Sequence, residues 1–380
     1  MSMGEPAPAM GRRRFMNASA AGLGAASVAG LAACSGTSGK AAVPDGGTGA
    51  ARGLADTVLD AFRTHRLVGL GEAHNLQNHH DALTLLLTDP RLPGVVDDIV
   101  VEFGNALYQP VIDRFIAGQP VANADLRPVW RNTTQSPTAT WDEPVYEQFY
   151  RTVRAVNAAL PAGRQIRLLL GDPPLDWSKI TTFNQLRAIT GPQRDTYPAS
   201  VVRTQVLDKG RRALICYGIG HLTHGGSLAG LIERQTGERP YLIADFLPVA
   251  GDPGGLASRF SRYPLDTAVP TAGTWLGSVD AGLFSPDSSR TPLGPQANPA
   301  CGFRLGTLID AALYLGQPED LTSSWWNPAI FLDPVYWQEL QRRNAMHQYP
   351  VNLDSYRQQD LPALFPLTRL LPSDECGQAS

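Results

Sequence analysis

The sequence predicts an α/β fold, with a mainly parallel central sheet, helices on both faces and an irregular C-terminal extension packed on it. Two observations indicate this fold class: short apolar runs recur between residues 53 and 247, and amphipathic helical patterns separate them. The apolar runs show little polar alternation, which is typical of strands buried on both faces. Strands that alternate with helices form parallel sheets, because each helix carries the chain back across the sheet.

The predicted strands stop at glycine or at polar clusters. In chain order they are RLVGLG (66–71), DIVVEFG (98–104), QIRLLLGD (165–172), RALICYGIG (212–220) and RPYLIADFL (239–247). Functional loops of parallel sheets gather at the carboxyl ends of the strands. Since polar groups end the earlier runs, we expect side chains from distant parts of the chain to converge on one edge of the sheet.

The predicted helices have one apolar stripe each. The helix after the first strand has four residues at helical spacing on one stripe: Leu76, His80, Leu83 and Leu87. The segments 143–160 and 227–237 are also amphipathic, and Gly237 is a typical helix end. Residues 248–380 are less regular, with one strand or strand pair at 302–316 and a helix at 333–346. We expect them to extend the domain formed by residues 53–247.

The first 34 residues are predicted to be a twin-arginine lipoprotein signal peptide. RRRFM (12–16) is followed by an Ala- and Gly-rich run, 17–34, that is too weakly apolar for a membrane span of about 20 residues. The run ends in LAAC, which resembles a bacterial lipobox, so we expect lipidation of Cys34. A soluble chain with a disordered start is the alternative. Residues 35–52 have almost no core-forming side chains and are predicted to be a flexible linker.

Charge and composition exclude some partners. The formal charge is −3 and the basic residues are dispersed, which argues against nucleic-acid binding. No later apolar stretch reaches spanning length, so membrane attachment is expected through the lipid alone. The protein is therefore expected in the bacterial cell envelope, exported by the twin-arginine route.

The remaining cysteines have different expected roles. Cys216 lies in the apolar run ALICYGIG and is expected to be a buried hydrophobe. Cys301 and Cys376 lie in irregular sequence of a chain predicted to be exported, where a disulfide between them is one option that the sequence leaves open. The cysteine spacings do not indicate a zinc site.

Five chemically active side chains end or follow four of the predicted strands. LVGLGEAHNLQNHHDAL (67–83) contains Glu72 and His74 just after the first strand, and GIGH ends the fourth strand at His221. Glu102 lies at the end of the second strand and Asp172 at the end of the third. The sequence therefore predicts one site at this edge of the sheet.

Two chemistries suit this set. Gly71 and Gly218 are expected to let the chain turn sharply, so that His74 and His221 face each other. With Glu72 and Glu102 they provide a general base and an orienting acid. Alternatively, His74, His221 and Glu102 hold a divalent metal such as Zn, Mn or Co, which would lower the pKa of a bound water.

Each of these residues also has a structural explanation. His74 and His221 are alternatively caps of strand ends, and Glu72 is alternatively an acid in the first turn of a helix. Glu102 interrupts an apolar strand, where a carboxylate is costly to bury without a partner, and this favours function. Asp172 is either a substrate-binding residue or a turn-forming aspartate.

Further histidines are candidates for substrate binding. His79 and His80 lie about 100° apart on a helix, so one of them is expected to face the cleft and the other to lie in solvent. His224 follows His221 by three residues and is a candidate supporting or substrate-binding group. No nucleophile elbow, phosphate loop or dinucleotide fingerprint follows a strand, so a serine triad is disfavoured.

The motifs GLGEAHNLQNHH, VVEFGNA and YGIGHLTHGG resemble the superfamily that joins erythromycin esterases, ChaN-like haem-binding lipoproteins and TIKI/TraB metalloproteases. Shared features are two GxxH elements, here Gly71–His74 and Gly218–His221, and an acidic residue on the intervening strand. The resemblance covers roughly residues 65–247 and, weakly, DAALYLG. It also includes the Arg-Asp pair before the second element, which implies that Arg194 partners an anion or a carboxylate.

The resemblance implies three activities. Erythromycin esterases imply a His–Glu pair that activates water on an ester or lactone, and TIKI proteases imply a divalent metal and an amide. ChaN-like proteins imply haem or iron binding without catalysis. A hydrolase with a small-molecule or peptide substrate is favoured over a haem-binding protein, because the long segment 118–142 and the C-terminal extension suit a lid or specificity wall.

Overall fold

The computed structural model describes residues 51–138, 140–284, 302–347, 350–357 and 363–367. The signal peptide, nearly all of the linker, Cys34, and the pair Cys301 and Cys376 lie outside the described residues, so these predictions remain predictions. In the part of the chain that is described, no helix combines the length and hydrophobicity needed to cross a bilayer.

Eight strands of the described residues form one sheet in the order β1-β7-β8-β6-β2-β5-β3-β4. Their bounds are β1 Arg52–Gly53, β2 Leu67–Glu72, β3 Asp98–Asn105, β4 Arg167–Asp172, β5 Ala213–Gly218, β6 Tyr241–Asp245, β7 Thr267–Pro270 and β8 Ala311–Tyr314. From β8 to β4 all neighbours pair in parallel, whereas β7 runs antiparallel to β8 and β1. The mainly parallel α/β sheet predicted from the sequence is confirmed.

Helices connect the strands. Their bounds are α1 Leu54–Ala61, α2 Gln77–Thr88, α3 Gln109–Ile116, α4 Asn123–Leu126, α5 Pro128–Arg131, α6 Pro144–Ala158, α7 Phe183–Val201, α8 Ser227–Thr236, α9 Leu256–Phe260, α10 Ala329–Leu332 and α11 Pro334–Ala345. A capping box between Thr182 and Gln185 begins α7. Gly237, with a φ of 73°, ends α8 as the sequence predicts.

Helices cover both faces of the sheet. Alternate residues of one strand show this, because they pack against different helices. On β3, Ile99 and Val101 pack in a cluster with residues of α2 and α6, whereas Val100 packs in a second cluster with residues of α7 and α8. Successive strand side chains point to opposite faces, so an almost continuous apolar run supplies both clusters. The free thiol of Cys216 is buried on β5, as predicted.

The C-terminal residues contribute to the same sheet. β8 lies within the predicted segment 302–316, and α11 matches the predicted helix at 333–346. β7 is not predicted by the sequence, because a run of four residues next to a turn has no periodicity to reveal it. β1 includes Arg52, the last residue of the predicted linker.

Candidate functional site

The carboxyl ends of β2, β5 and β3 lie side by side and carry the candidate site. Glu72, the last residue of β2, lies opposite Gly218, the last residue of β5. Glu102 lies near the end of β3, which is the next strand along the sheet. His74 and His221 follow β2 and β5 by two and three residues, so the strand register brings both GxxH elements to one edge.

Glu72 is a buried carboxylate that orients His74. Its Oε1 lies 2.7 Å from His74 Nδ1 and accepts a hydrogen bond from the Tyr146 hydroxyl at 3.2 Å. His80 Nε2 lies 3.3 Å from the other oxygen. Burial would raise the pKa of Glu72, but the bonds and charges of His74 and His80 hold it well below its usual range. Glu72 precedes the first residue of α2, Gln77, by five positions, so it is not an acid of the helix's first turn.

Because ionised Glu72 only accepts hydrogen bonds, the His74 Nδ1 must donate to it. The proton of a neutral imidazole then lies on Nδ1, and Nε2 has a free lone pair. Nε2 is buried and has no hydrogen-bond partner among the described residues. It lies 3.9 Å from Glu102 Oε2. His74 is therefore arranged as a proton acceptor through Nε2.

Glu102 is the carboxylate that both imidazoles face. Arg194 donates to its Oε1 at 3.0 Å, and the Gly218 backbone N–H donates to its Oε2 at 2.8 Å. His221 Nε2 lies 3.4 Å from Oε1. Burial would raise the pKa of Glu102, but the charges of His221, His74 and Arg194 lower it well below its usual range. The side chain is thus an ionised carboxylate, and its partners offset the cost of burying it.

His221 is held in the same way as His74, by a carboxylate on Nδ1. Asp195 of α7 lies with its Oδ1 2.6 Å from that nitrogen. Burial would lower the pKa of His221, but the charge of Glu102 and the hydrogen bonds of Asp195 and Glu102 raise it to about 9. His221 is therefore an imidazolium at neutral pH.

The segment 118–142, which we call the insertion, forms one wall of the site. Trp141 packs edge-on against the His74 ring, with 4.7 Å between ring centroids and 83° between planes. Arg343 of α11 holds the insertion by donating to the Arg131 carbonyl at 3.0 Å and to Ser136 Oγ at 3.0 Å. The C-terminal extension thus supports a wall that contacts the site.

Asp172 also contacts the insertion. Its carboxylate accepts hydrogen bonds from the backbone N–H of Thr134, at 2.9 Å, and from the Thr134 hydroxyl. Burial raises the pKa of Asp172 to about 7. The Thr134 hydrogen bonds and the charge of Arg194 lower this pKa but do not cancel the effect of burial. Its contacts tie the end of β4 to the wall of the site.

His79 and His80 are both buried, so the prediction that one of them lies in solvent is wrong. Two carboxylates from adjacent strands reach α2 at different positions: Asp245 of β6 lies 2.7 Å from His79 Nδ1, and Glu72 contacts His80. His79 thus lies behind the site, and His80 supports Glu72. Burial would lower the pKa of His79, but the charge and hydrogen bond of Asp245 raise it.

His224 does not join the cluster around Glu102. Its Nε2 lies 2.8 Å from Asp310 Oδ2, which also accepts a hydrogen bond from the backbone N–H of Leu242. Asp310 precedes β8 and Leu242 lies near the start of β6, so His224 lies beside the amino-terminal ends of these strands. Five other candidates form a continuous chain of contacts: Glu72 contacts His74, and Glu102 lies next to His74, Arg194 and His221.

The reason for glycine at position 218 differs from the predicted one. Gly218 has a φ of −54° and a ψ of 139°, which any residue adopts, so no sharp turn requires it. A Cβ there would lie 2.6 Å from His74 Cε1, 2.8 Å from His74 Nε2 and 3.2 Å from Glu102 Oε2. The absence of a side chain makes room for the imidazole.

We expect Gly218→Ala to displace the His74 ring and to lower any catalytic activity that depends on it by about 100-fold or more, because even a shift of about 1 Å in a reacting group has effects of that size. The methyl group clashes with His74 rather than with the strand, so the circular dichroism spectrum should be retained. Gly191→Ala is the control, since a Cβ there meets nothing within 4 Å. Unchanged kinetics in Gly218→Ala would contradict this account of His74.

The residues do not fit the predicted metal. Among the described residues, no group of three or more His, Cys, Asp or Glu side chains could hold a metal ion. The oxygens of Glu102 already accept from the Arg194 guanidinium and the Gly218 N–H, and a cation there would be repelled by the guanidinium. In the expected ligand set, Glu102 is therefore paired with Arg194 and His221, whereas His74 Nε2 lies 3.9 Å from it without a hydrogen bond.

His221 has no nitrogen left for a haem iron. Its Nδ1 faces Asp195 and its Nε2 faces Glu102. His74 Nε2 has no hydrogen-bond partner among the described residues. The geometry therefore argues against haem on His221 only.

Several site residues escaped the sequence analysis. Asp195 belongs to the Arg-Asp pair of the resemblance, which implies no role for it. Asp245 interrupts an apolar run just as Glu102 does, which is a usable signal. Tyr146 has no such signal, because its contact with Glu72 depends on how α6 packs. Trp141 lies in the segment 118–142, which the sequence indicates as a lid or specificity wall.

The sequence matches no protein-family model and no curated protein. Solved structures that match this chain include the type III effector HopBA1, 14% identical, with 52% of this chain and 85% of that chain covered and a TM-score of 0.33. ChaN of Campylobacter jejuni, described as binding haem cofacially, is 13% identical, with 50% and 84% covered and a TM-score of 0.30. A Bacillus cereus protein is 10% identical, with 71% and 92% covered and a TM-score of 0.47. Likenesses at this level concern the fold alone.

Proposed function

We propose that the protein is a hydrolase of an ester, lactone or amide, in which His74 removes a proton from the attacking water. The observation that supports this most is the mirrored arrangement of two imidazoles. Each is held through Nδ1 by a carboxylate, at 2.7 Å for His74 and 2.6 Å for His221, and both present Nε2 to Glu102. A carboxylate that fixes the tautomer and orientation of a histidine is the arrangement of a general base.

The proposal gives the two histidines opposite roles. His74 Nε2 accepts the proton of water, and Glu72 stabilises the imidazolium that forms. The His221 imidazolium, with the Arg194 guanidinium beside it, supplies a proton or positive charge where the carbonyl oxygen becomes negative.

Water is the nucleophile that this site supports. The side chains in polar contact with the two imidazoles, among the described residues, are the carboxylates Glu72, Glu102 and Asp195. Burial raises the pKa of the Cys216 thiol far above neutral, so this thiol is not a nucleophile. The more exposed side chains, Arg194 and Asp195, mark the side from which substrate enters.

The proposal predicts that kcat/KM falls as pH rises through about 9, because the His221 imidazolium loses its proton there. The full chain is assayed with p-nitrophenyl acetate, p-nitrophenyl butyrate and an aliphatic lactone between pH 6 and 10. The folded state should lose stability over the same range, since the pKa of His221 is raised on folding.

His221→Asn should be less active and should lack the alkaline decline. An alkaline decline that persists unchanged in His221→Asn would assign it to another group. No hydrolysis of any of these substrates, together with a saturable Soret shift on adding hemin, would replace this proposal with the haem-binding alternative.

We also propose that the protein acts in the bacterial cell envelope, anchored by lipid on Cys34 after twin-arginine export. This rests on the RRRFM and LAAC motifs of the sequence. Cys34→Ala should move the protein from the membrane to the soluble fraction of fractionated cells. An unchanged distribution would contradict the lipobox assignment.

A further inference from the structure

Asp245 is a fully buried carboxylate that the proposed chemistry does not use. It ends β6, next to β2, where its neighbour Ala244 pairs with Gly71. Its two oxygens bond different parts of the fold: Oδ2 accepts from the backbone N–H of Ala73 at 2.8 Å, and Oδ1 lies 2.7 Å from His79 Nδ1. Asp245 therefore joins the end of one strand to the turn of the next and to α2.

The Ala73 N–H has a special position in that turn. Ala73 lies between Glu72 and His74, and the peptide group that contains its nitrogen is planar and includes the Glu72 carbonyl carbon. A bond to this N–H therefore fixes the direction in which the chain leaves β2, and with it the directions of both side chains. His79, the second partner of Asp245, lies on α2 beside His80, which contacts Glu72.

These bonds are strong enough to hold the turn. A charged acceptor gives hydrogen bonds about twice as strong as a neutral one. With no solvent at Asp245, the Ala73 N–H and the His79 imidazole have no alternative partner of equal strength. The Glu72–His74 pair in turn tolerates only small displacements if it is to accept a proton from water.

We propose that Asp245 is a positioning residue for the Glu72–His74 pair, acting through the Ala73 N–H and through His79. The inference rests on the proposed function for its kinetic consequence. Its geometric consequence is independent of activity. Without Asp245, the hydrogen bond that His74 Nδ1 donates to Glu72 should be lost or weakened.

Asp310 provides a matched control in the same sheet. Its carboxylate also accepts from a backbone N–H, that of Leu242, at 2.8 Å, and contacts a histidine, His224, at 2.8 Å. Asp310 precedes β8 and Leu242 lies near the start of β6, so these contacts are at the amino-terminal ends of the two strands. Substitution at either aspartate removes the same kinds of bond, but only Asp245 contacts the turn that carries His74.

The test is a ¹H–¹⁵N spectrum of the imidazole groups of the full chain, with the His74 signal assigned by its loss in His74→Gln. The wild type should show a low-field Nδ1–H signal for the bond to Glu72. Asp245→Leu should lose this signal, Asp245→Asn, which keeps an acceptor for Ala73, should retain part of it, and Asp310→Leu should leave it unchanged. A His74 signal that is unaltered in Asp245→Leu would overturn the proposal.

The kinetic readout uses the p-nitrophenyl ester assay. Asp245→Leu should lower kcat by about 100-fold with little change in KM, since a misplaced base slows proton transfer more than it weakens binding. If the wild type hydrolyses no substrate, the proposed function fails while the imidazole spectrum still tests the positioning. An active wild type with kcat unchanged in Asp245→Leu would overturn the positioning alone.

Should Asp245→Leu not fold, the wild type itself provides a test. Hydrogen exchange of the Ala73 amide should be as slow as that of the central β2 amides, because it bonds a buried carboxylate. Exchange at the rate of exposed loop amides would overturn the proposal.

Discussion

His74→Gln is expected to lower kcat/KM for ester hydrolysis by about 10²- to 10⁴-fold, the usual contribution of a general base. The amide group of glutamine can still donate to Glu72, but it cannot accept a proton from water at neutral pH. The effect should lie mainly in kcat, because the lost proton transfer belongs to the transition state. Initial rates with p-nitrophenyl acetate across a range of substrate concentrations provide the measurement.

The control for this substitution is His65→Gln. His65 lies after α1, where its Nδ1 contacts the Ala61 carbonyl and the Thr64 hydroxyl, away from Glu102. Its replacement should leave both kinetic constants nearly unchanged. Wild-type kcat in His74→Gln would mean that His74 is a structural cap of the strand end, which is the alternative that the sequence left open.

Gly171→Ala is expected to destabilise the fold by about 3 kcal/mol or more, at the upper end of the usual cost of overpacking. A Cβ on Gly171 would lie 1.8 Å from the Tyr217 hydroxyl and 2.9 Å from the Val101 carbonyl oxygen. The Tyr217 side chain is buried on β5, and the Val101 carbonyl belongs to the backbone of β3. Neither group can move away without disturbing the close packing around it. Urea denaturation followed by circular dichroism measures the loss.

The matched control is Gly163→Ala, since a Cβ at position 163 meets nothing within 4 Å. It should change the free energy of unfolding by less than about 1 kcal/mol, with the reduced freedom of the unfolded chain favouring alanine. Equal midpoints for Gly171→Ala and Gly163→Ala would show that the sheet accommodates a side chain at Gly171.

The sheet was predictable from the sequence, and so was the convergence of the polar residues at the carboxyl ends of its strands, because both depend on local patterns. Apolar runs of strand length mark β2 and β3, and the polar residue that ends each run lies at the carboxyl edge of a parallel sheet. This is why Glu72, His74, Glu102 and His221 were found together. The antiparallel strand β7 has only four residues and no such pattern.

The detailed roles were less predictable because they depend on packing. His79 and His80 would differ in exposure on an isolated helix, but Asp245 and Glu72 reach them from two strands and bury both. His224 is three residues from His221, yet its partner Asp310 is 86 positions away in the chain. Sequence spacing alone does not reveal such partners.

Arg343 has a consequence for the order in which the site forms during synthesis. The residues that hold the imidazoles, Asp245 included, have all been made once the ribosome has passed residue 245, but Arg343, which secures the insertion, is made about a hundred residues later. A nascent chain therefore has its reacting groups before the wall beside them is fastened. Full activity should arise only on release of a nearly complete chain, and truncations before α11 should yield a site that is assembled but open to solvent.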